Sequence, residues 1–325
     1  MKKRLVLIDG HAIVFRAYYA FPASLTTKKG EQINAVYGFA SILLSVIKEL
    51  KPSHITVAFD LDEPTFRHIE YVGYKAQRPE VEEELTAQID KVKEAVKVLN
   101  IPIFEVEGFE ADDVIGTLAR QGNKEKDLEI VIVTGDQDAM QLINSGVKVF
   151  VPGRGKQPAK MYGEKEVRER YELEPKQIID LKALAGDPSD NIPGVKGVGP
   201  KTATELLKKF LTVERVYSRL DEAMKKGEIS KAVGEKLADD YEEAVRGKKL
   251  ARIVTDVPIS LDLKACELHD YDKKKAGKFF EELGFKSIVK RLPNDNWEQA
   301  AEEMFKKKRE KPVKKKKSEG QMGLF

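Results

Sequence analysis

The 325-residue chain is 41% hydrophobic and 34% charged with a formal net charge of +3, a composition that suits a globular protein with a heavily charged surface and room for one large or two medium domains. No apolar run reaches the roughly 18 residues of a membrane span, and a single cysteine, Cys266, excludes an intramolecular disulfide and a cysteine zinc cluster, so a reducing, cytoplasmic setting is expected. Charge is uneven: residues 306–325 carry nine Lys or Arg against two Glu, a net +7 that leaves −4 on the rest, so bulk charge alone does not indicate a nucleic-acid partner.

In chain order, the start "MKKRLVLIDG" has basic residues and a short apolar run, but the run ends in Asp9 and reads as a strand rather than a leader. The runs "LVLID", "ITVAFD" and "IVIVTGD" close on Asp9, Asp60 and Asp136. Continuous apolar runs of this length, separated by helical patterns, predict buried parallel strands in an α/β sheet, where functional groups gather at the carboxyl ends of strands. Residues 34–50 carry helical spacing, and so do 80–99, with an apolar stripe of Val81, Leu85, Ile89, Val92, Val96 and Leu99. After about residue 175 the pattern changes to short helices punctuated by Gly and Pro. The predicted organisation is an α/β core over 1–175, a helical region over 176–292, and a basic segment over 293–325 with little to bury, expected to be disordered.

The strongest local signal is "GFEADDVIG", with Glu110, Asp112 and Asp113 at the start of a predicted helix. An acidic first turn complements the helix dipole by itself. Further along, "TGDQDAMQL" adds Asp136 and Asp138, and "AGDPSDN" adds Asp187 and Asp190. With Asp9 and Asp60 these make nine carboxylates, and converging so many like charges is unfavourable unless cations neutralise them or their pKa values rise. Oxygen-only ligands and a scarcity of His and Cys favour Mg²⁺ or Mn²⁺ over zinc. A pair of such ions suits hydrolysis of a phosphodiester without a covalent enzyme intermediate.

Asp9, Phe59–Asp60, "YKAQRP" at 74–79, "GFEADD", "GDQDAMQL" and "GDPSDNIPGVKGVGPKTA", in this order and spacing, resemble the bacterial and phage 5′ nuclease family, most of all the N-terminal 5′→3′ exonuclease domain of bacterial DNA polymerase I. The resemblance covers roughly residues 3–290 and implies a PIN-like core with a mainly parallel sheet. It implies a structure-specific 5′→3′ exonuclease and flap endonuclease acting in RNA primer removal and repair. It assigns Asp9, Asp60, Glu110 and Asp112 to one metal, and Asp136, Asp138, Asp187 and Asp190 to another, with Asp113 close to both. Gln137 departs from the family, which often has Lys there.

The resemblance also makes residues 65–90 an arch over the metal site. Lys75 and Arg78 would stabilise charge developing on the scissile phosphate, and Tyr74 would stack on an unpaired base. Without the resemblance, a Lys and an Arg on such a helix read simply as solvated. "GVKGVGPKTA" would form a helix-three-turn-helix in which Gly194, Gly197 and Gly199 allow a tight turn, Lys196 and Lys201 contact duplex phosphates without reading sequence, and a K⁺ binds. Arg16 is placed near the DNA, with Tyr18 and Tyr19 divided between that role and the core. His11 is no candidate base.

The segment "QMGLF" fits the pattern of a bacterial sliding-clamp-binding peptide, with Gln321 at the pocket rim and Met322, Leu324 and Phe325 filling an apolar cleft. The lysines before it would act as an extended tether. This address favours a free-standing, monomeric, nucleoid-associated 5′ nuclease over a detached piece of a polymerase. Two other readings are a PIN-like RNase, opposed by the hairpin and "YKAQR", and a catalytically silent DNA-binding protein, opposed by the full set of carboxylates.

Overall fold

The computed structural model describes residues 3–153, 155 and 157–293. Among these, one sheet has strand order β3-β2-β1-β4-β5-β6, with β1 Lys3–Asp9, β2 His54–Ala58, β3 Ile103–Phe104, β4 Leu128–Val133, β5 Val147–Val151 and β6 Lys160–Tyr162. All pairings are parallel except β5 with β6. The continuous apolar runs follow from burial of both faces: Val6 and Ile8 enter one core while Leu5 and Leu7 enter the other, the period-two alternation of a strand.

The first face is covered by α1 Gly10–Ala20, α2 Asn34–Leu50 and α4 Glu83–Val98, and by α13 Lys273–Glu282 and α14 Lys286–Val289 from the far end of the described chain. The second face is covered mainly by α5 Ala111–Gly122. The short α3 Phe66–Glu70 precedes α4. The expected helix over 80–99 is shorter at both ends. Val81 lies before α4 and is exposed, and Gln88 takes a buried place in the stripe. Its amide oxygen accepts from the Ala35 N–H at 2.9 Å, supplying the partner that α2 lacks because Ile33 has no capping side chain.

A separate core, built around Leu184, Leu207, Val216 and Leu237, binds the helices that follow. These include α7 Ile178–Ala185, α8 Pro200–Phe210, α9 Val213–Ser218, α11 Lys231–Asp239 and α12 Tyr241–Ala251, after α6 Glu164–Tyr171 and with α10 Leu220–Lys225 between α9 and α11. At the turn between α7 and α8, Gly194 is required by close approach, since a Cβ there would lie 2.2 Å from the Gly186 nitrogen. Gly197 has φ +75°, the left-handed region that glycine enters without steric cost.

Registers Asp9↔Ala58 and Ile8↔Val133 level the carboxyl ends of β1, β2 and β4. Asp9, Asp60 and Asp136 therefore emerge on one edge. Since β2 and β4 flank β1 on opposite sides, that edge includes the topological switch point where open α/β sheets place ligands.

Candidate metal centre

Asp9 ends β1 and caps α1, its Oδ1 accepting from the Ala12 N–H at 2.9 Å and its Oδ2 from the Thr134 hydroxyl at 2.7 Å. Burial pushes its pKa up to about 7, and the charges of Asp60 and Asp136 add to the rise. Asp60 accepts from the Ala111 N–H at 2.7 Å, joining the end of β2 to the start of α5. His11 Nδ1 accepts from the Asp60 N–H at 2.9 Å, and burial lowers its pKa; it is a neutral support.

Glu110 and Asp113 form a reciprocal cap at the start of α5. Asp112 stands between them in sequence, and its pKa is raised well above the usual carboxylate range by burial and then by Asp9, Asp136, Asp138 and Glu110. The β4 end continues into an Asx turn, with the Asp138 N–H donating to Asp136 Oδ1 at 2.8 Å, and then the 3-10 helix Asp138–Leu142. Asp138, Asp187 and Asp190 bring carboxylate oxygens within 4.8 Å of one another. Burial takes Asp138 up to about 7 despite Lys182, whereas at Asp187 the Lys182 ammonium overcomes burial and lowers the pKa.

Thus Asp9, Asp60, Glu110, Asp112, Asp136, Asp138, Asp187 and Asp190 share one acidic site. The donors are all oxygen, and Asp9, Asp112 and Asp138 have pKa values raised by burial and by neighbouring carboxylates. The set therefore fits hard divalent cations, which would neutralise that charge. A cleft of about 450 Å³ opens beside it, lined by Asp136, Asp138, Lys182, Asp187 and Pro200. A larger cleft of about 950 Å³, between α9, α12 and Phe66, contains none of these carboxylates.

Asp113 does not join them. It is fully buried and takes a bidentate pair from Arg67 at 2.7 and 2.8 Å, while its Oδ1 also accepts from the Val254 N–H. Its oxygens are occupied by the chain's own donors, Arg67 and the Glu110 and Val254 N–H groups, so in this conformation it presents no free ligand atom. Tyr74 also differs: its ring is 3% exposed, and its hydroxyl donates to Glu110 and Asp190 at 3.2 and 3.3 Å. In this conformation no face of the ring is open to stack on a base.

Residues 65–90 comprise α3, a turn and the first half of α4, with the turn folded down onto the acidic site. Lys75 Nζ lies 2.8 Å from Glu110, and Arg78 pairs with Asp190 at 2.5 Å. Arg16 donates to the Pro152 carbonyl. Tyr18 packs against the core, while Tyr19 is exposed and reaches Glu82. Lys196 and Lys201 are exposed beside the α7–α8 turn, but the Lys196 N–H already donates to Asp240 at 2.6 Å. Nothing within 4 Å crowds a Cβ at Gly199, so the start of α8 is open. Gln137 accepts from Arg170 and Tyr171. Gln321, Met322, Leu324 and Phe325 lie outside the described residues.

Sequence reasoning missed Arg67 and Lys182. The signal for Lys182 was its place five residues before Asp187 in a helix whose only other charged residue is Asp180; for Arg67 only the fold reveals the partner.

Residues 4–172 match the family described as 5′-3′ exonuclease, N-terminal resolvase-like domain, and residues 173–274 match its C-terminal SAM fold. The chain belongs to the 5′-3′ exonuclease family. DNA polymerase I of Chloroflexus aurantiacus is 44% identical over 297 residues, covering 89% of this chain and 31% of that protein. DNA polymerase I of Bacillus subtilis is 40% identical over 297 residues, covering 91% of this chain and 33% of that protein. This exonuclease-family chain thus spans about a third of the length of those curated relatives. Among solved structures, a bacteriophage T5 flap endonuclease with DNA and metal ions has a TM-score of 0.62 at 19% identity, covering 94% of this chain and 100% of that one. The catalytic core of Rad2 with DNA substrate has a TM-score of 0.53 at 18% identity, covering 89% and 91%. At these identities the likeness establishes the PIN-like nuclease fold shared by the exonuclease family. Among the described residues, no helix is long and apolar enough to cross a membrane.

Proposed function

We propose that this chain is a Mg²⁺-dependent, structure-specific 5′→3′ exonuclease and flap endonuclease that cuts phosphodiester bonds near the 5′ end of nicked, flapped or RNA-primed duplexes. The observation that carries this reading is the convergence of eight carboxylates at one sheet edge beneath the Lys75 and Arg78 cations. Asp9, Asp60, Glu110 and Asp112 would hold one Mg²⁺ or Mn²⁺, and Asp136, Asp138, Asp187 and Asp190 a second. When bound, such ions supply Lewis-acid stabilisation of phosphoryl oxygens and lower the pKa of water.

The chain's own residues do the rest. Lys75 and Arg78 bring positive charge to the scissile phosphate, and Thr134 and the Ala111 amide hold Asp9 and Asp60 in place. Gly194, Gly197, Gly199, Lys196 and Lys201 form the duplex-facing turn with its K⁺, and Arg16 contributes nearby. The protein would act as a monomer, in the cytoplasm at the nucleoid. The test is digestion of end-labelled flap, nicked and single-stranded substrates, with and without Mg²⁺. Short 5′ products from flaps and nicks, formed only with Mg²⁺, are expected; equal cutting of internal sites in single-stranded RNA would instead favour a PIN-like RNase.

The peptide Gln321, Met322, Leu324 and Phe325 is proposed to dock on a bacterial sliding clamp, the lysines before it serving as tether. Removing residues 321–325 should abolish capture on immobilised clamp, and unchanged capture would defeat the assignment.

A further inference from the structure

The acidic site is held by side-chain cations of the chain itself. Asp138 and Asp187 share the Lys182 ammonium, Asp190 pairs with Arg78 at 2.5 Å, and Glu110 pairs with Lys75 at 2.8 Å. Two of these cations lie on one short turn, and that turn is clasped to the α7–α8 connection by further polar contacts. The Lys75 N–H donates to the Asp190 carbonyl at 2.9 Å. The Asn191 side chain donates to the Gly73 carbonyl at 2.6 Å and accepts from Gln77 at 2.8 Å.

The clasp shows signs of a conformation held against preference. Lys75 has φ of +55°, a left-handed backbone that a side chain of its type rarely adopts, while Asn191, at +53°, is of a type that tolerates that region. Tyr74 is the apolar anchor, packed with Ile192, Leu250 and Ala251. Beyond it, residues 76–80 are exposed, so apolar burial adds little there and polar contacts close the turn. The Arg78 side chain is 49% exposed, and an ion pair in that setting is weak.

We infer that residues 75–80 form an autoinhibitory latch over the metal centre, and that divalent metal binding releases it by taking Glu110 and Asp190 from Lys75 and Arg78. The inference rests on the proposed metal centre. A carboxylate oxygen that binds a dication gives up much of its attraction for a neighbouring ammonium or guanidinium, and a cation beside the ion is repelled. Tyr74 stays packed as the hinge while the turn beyond it swings away. Metal loading then precedes admission of a phosphodiester beneath the arch, and the same Lys75 and Arg78, freed from carboxylates, become available to phosphate oxygens. Linkage requires the converse: loosening the latch must tighten metal binding by the same factor.

The test uses the full chain with Mg²⁺ as the sole ligand, reading Mg²⁺ affinity by calorimetry and amide hydrogen exchange over residues 75–82 by mass spectrometry. In the unaltered chain, saturating Mg²⁺ should speed exchange at the Lys75 and Arg78 amides while exchange in β1 and β4 stays slow. Gln77→Ala with Asn191→Gly loosens the clasp by removing its two side-chain contacts without replacing a proposed metal ligand, Lys75 or Arg78, and glycine readily accepts the positive φ at 191. In that variant, exchange over 75–82 should already be fast without metal, and Mg²⁺ should bind several-fold more tightly. Mg²⁺ binding with unchanged exchange over 75–82, or unchanged affinity in the clasp variant, overturns the latch and leaves the metal centre standing. Absence of any Mg²⁺ binding overturns the metal centre, and the latch with it.

Discussion

Asp112→Asn is expected to abolish Mg²⁺-dependent 5′ cleavage while making the metal-free protein more stable above neutral pH. The loss should be at least about a thousandfold in single turnover, about 4 kcal/mol of transition-state stabilisation, because Asp112 is central to the acidic site. The gain in stability has the same origin. Burial and the charges of Asp9, Asp136, Asp138 and Glu110 raise the Asp112 pKa, so ionising it costs the folded state more than the unfolded one. Where the folded pKa exceeds the unfolded value, the folded state binds the extra proton between the two, and stability falls as pH rises through the folded pKa. Asp9 and Asp138, each raised to about 7, add to that fall as pH rises towards neutrality. Thermal melts without metal should therefore show Asp112→Asn above the unaltered chain at pH 8 and level with it near pH 4, where the carboxyl is protonated. Adding Mg²⁺ should flatten the pH dependence of the unaltered chain. Retained cleavage, or a lower melting temperature at pH 8, would remove Asp112 from the site.

Arg67→Met should cost about 3–5 kcal/mol of folding stability, the usual penalty for leaving a buried partner charge unpaired. The Arg67 and Asp113 side chains are 3% and 0% exposed, and Arg67 also donates to the Leu250 and Arg252 carbonyls. It ties α3, the start of α5 and the end of α12 together. Urea unfolding should show a lower midpoint with unchanged slope, and Arg67→Met with Asp113→Leu should recover much of the loss, because no charge is then stranded. A single-variant loss below about 1 kcal/mol would mean that Asp113 keeps another partner and that the pair does not organise this corner.

These two expectations separate neighbours that look alike in sequence. Asp112 and Asp113 are consecutive acidic residues in one helical turn, but successive positions on a helix point about 100° apart. One faces the other carboxylates and the other faces Arg67. Tyr74 has a similar history: an aromatic beside Lys75 suggests a base-stacking group, and only the packing of Ile192, Leu250 and Ala251 around it shows that its ring is an anchor. Gln88 was invisible for the opposite reason, since a polar side chain on an apolar stripe has no local cue that a helix end 53 residues away needs its oxygen.

What the amino-acid sequence determined by itself was whatever depends on local order: strands ending in Asp9 and near Asp60 and Asp136, the helix over 34–50, and a family pattern in which oxygen ligands recur at set spacing. Strand and helix periodicities act over a few residues, and a buried parallel sheet then forces the carboxyl ends of its neighbouring strands onto one edge. Tertiary structure alone decided which charge meets which. Arg67 and Asp113 are 46 residues apart, Lys75 and Glu110 are 35 apart, and Arg78 and Asp190 are 112 apart. Coulomb attraction depends on distance in space and on exclusion of water, and the fold sets both.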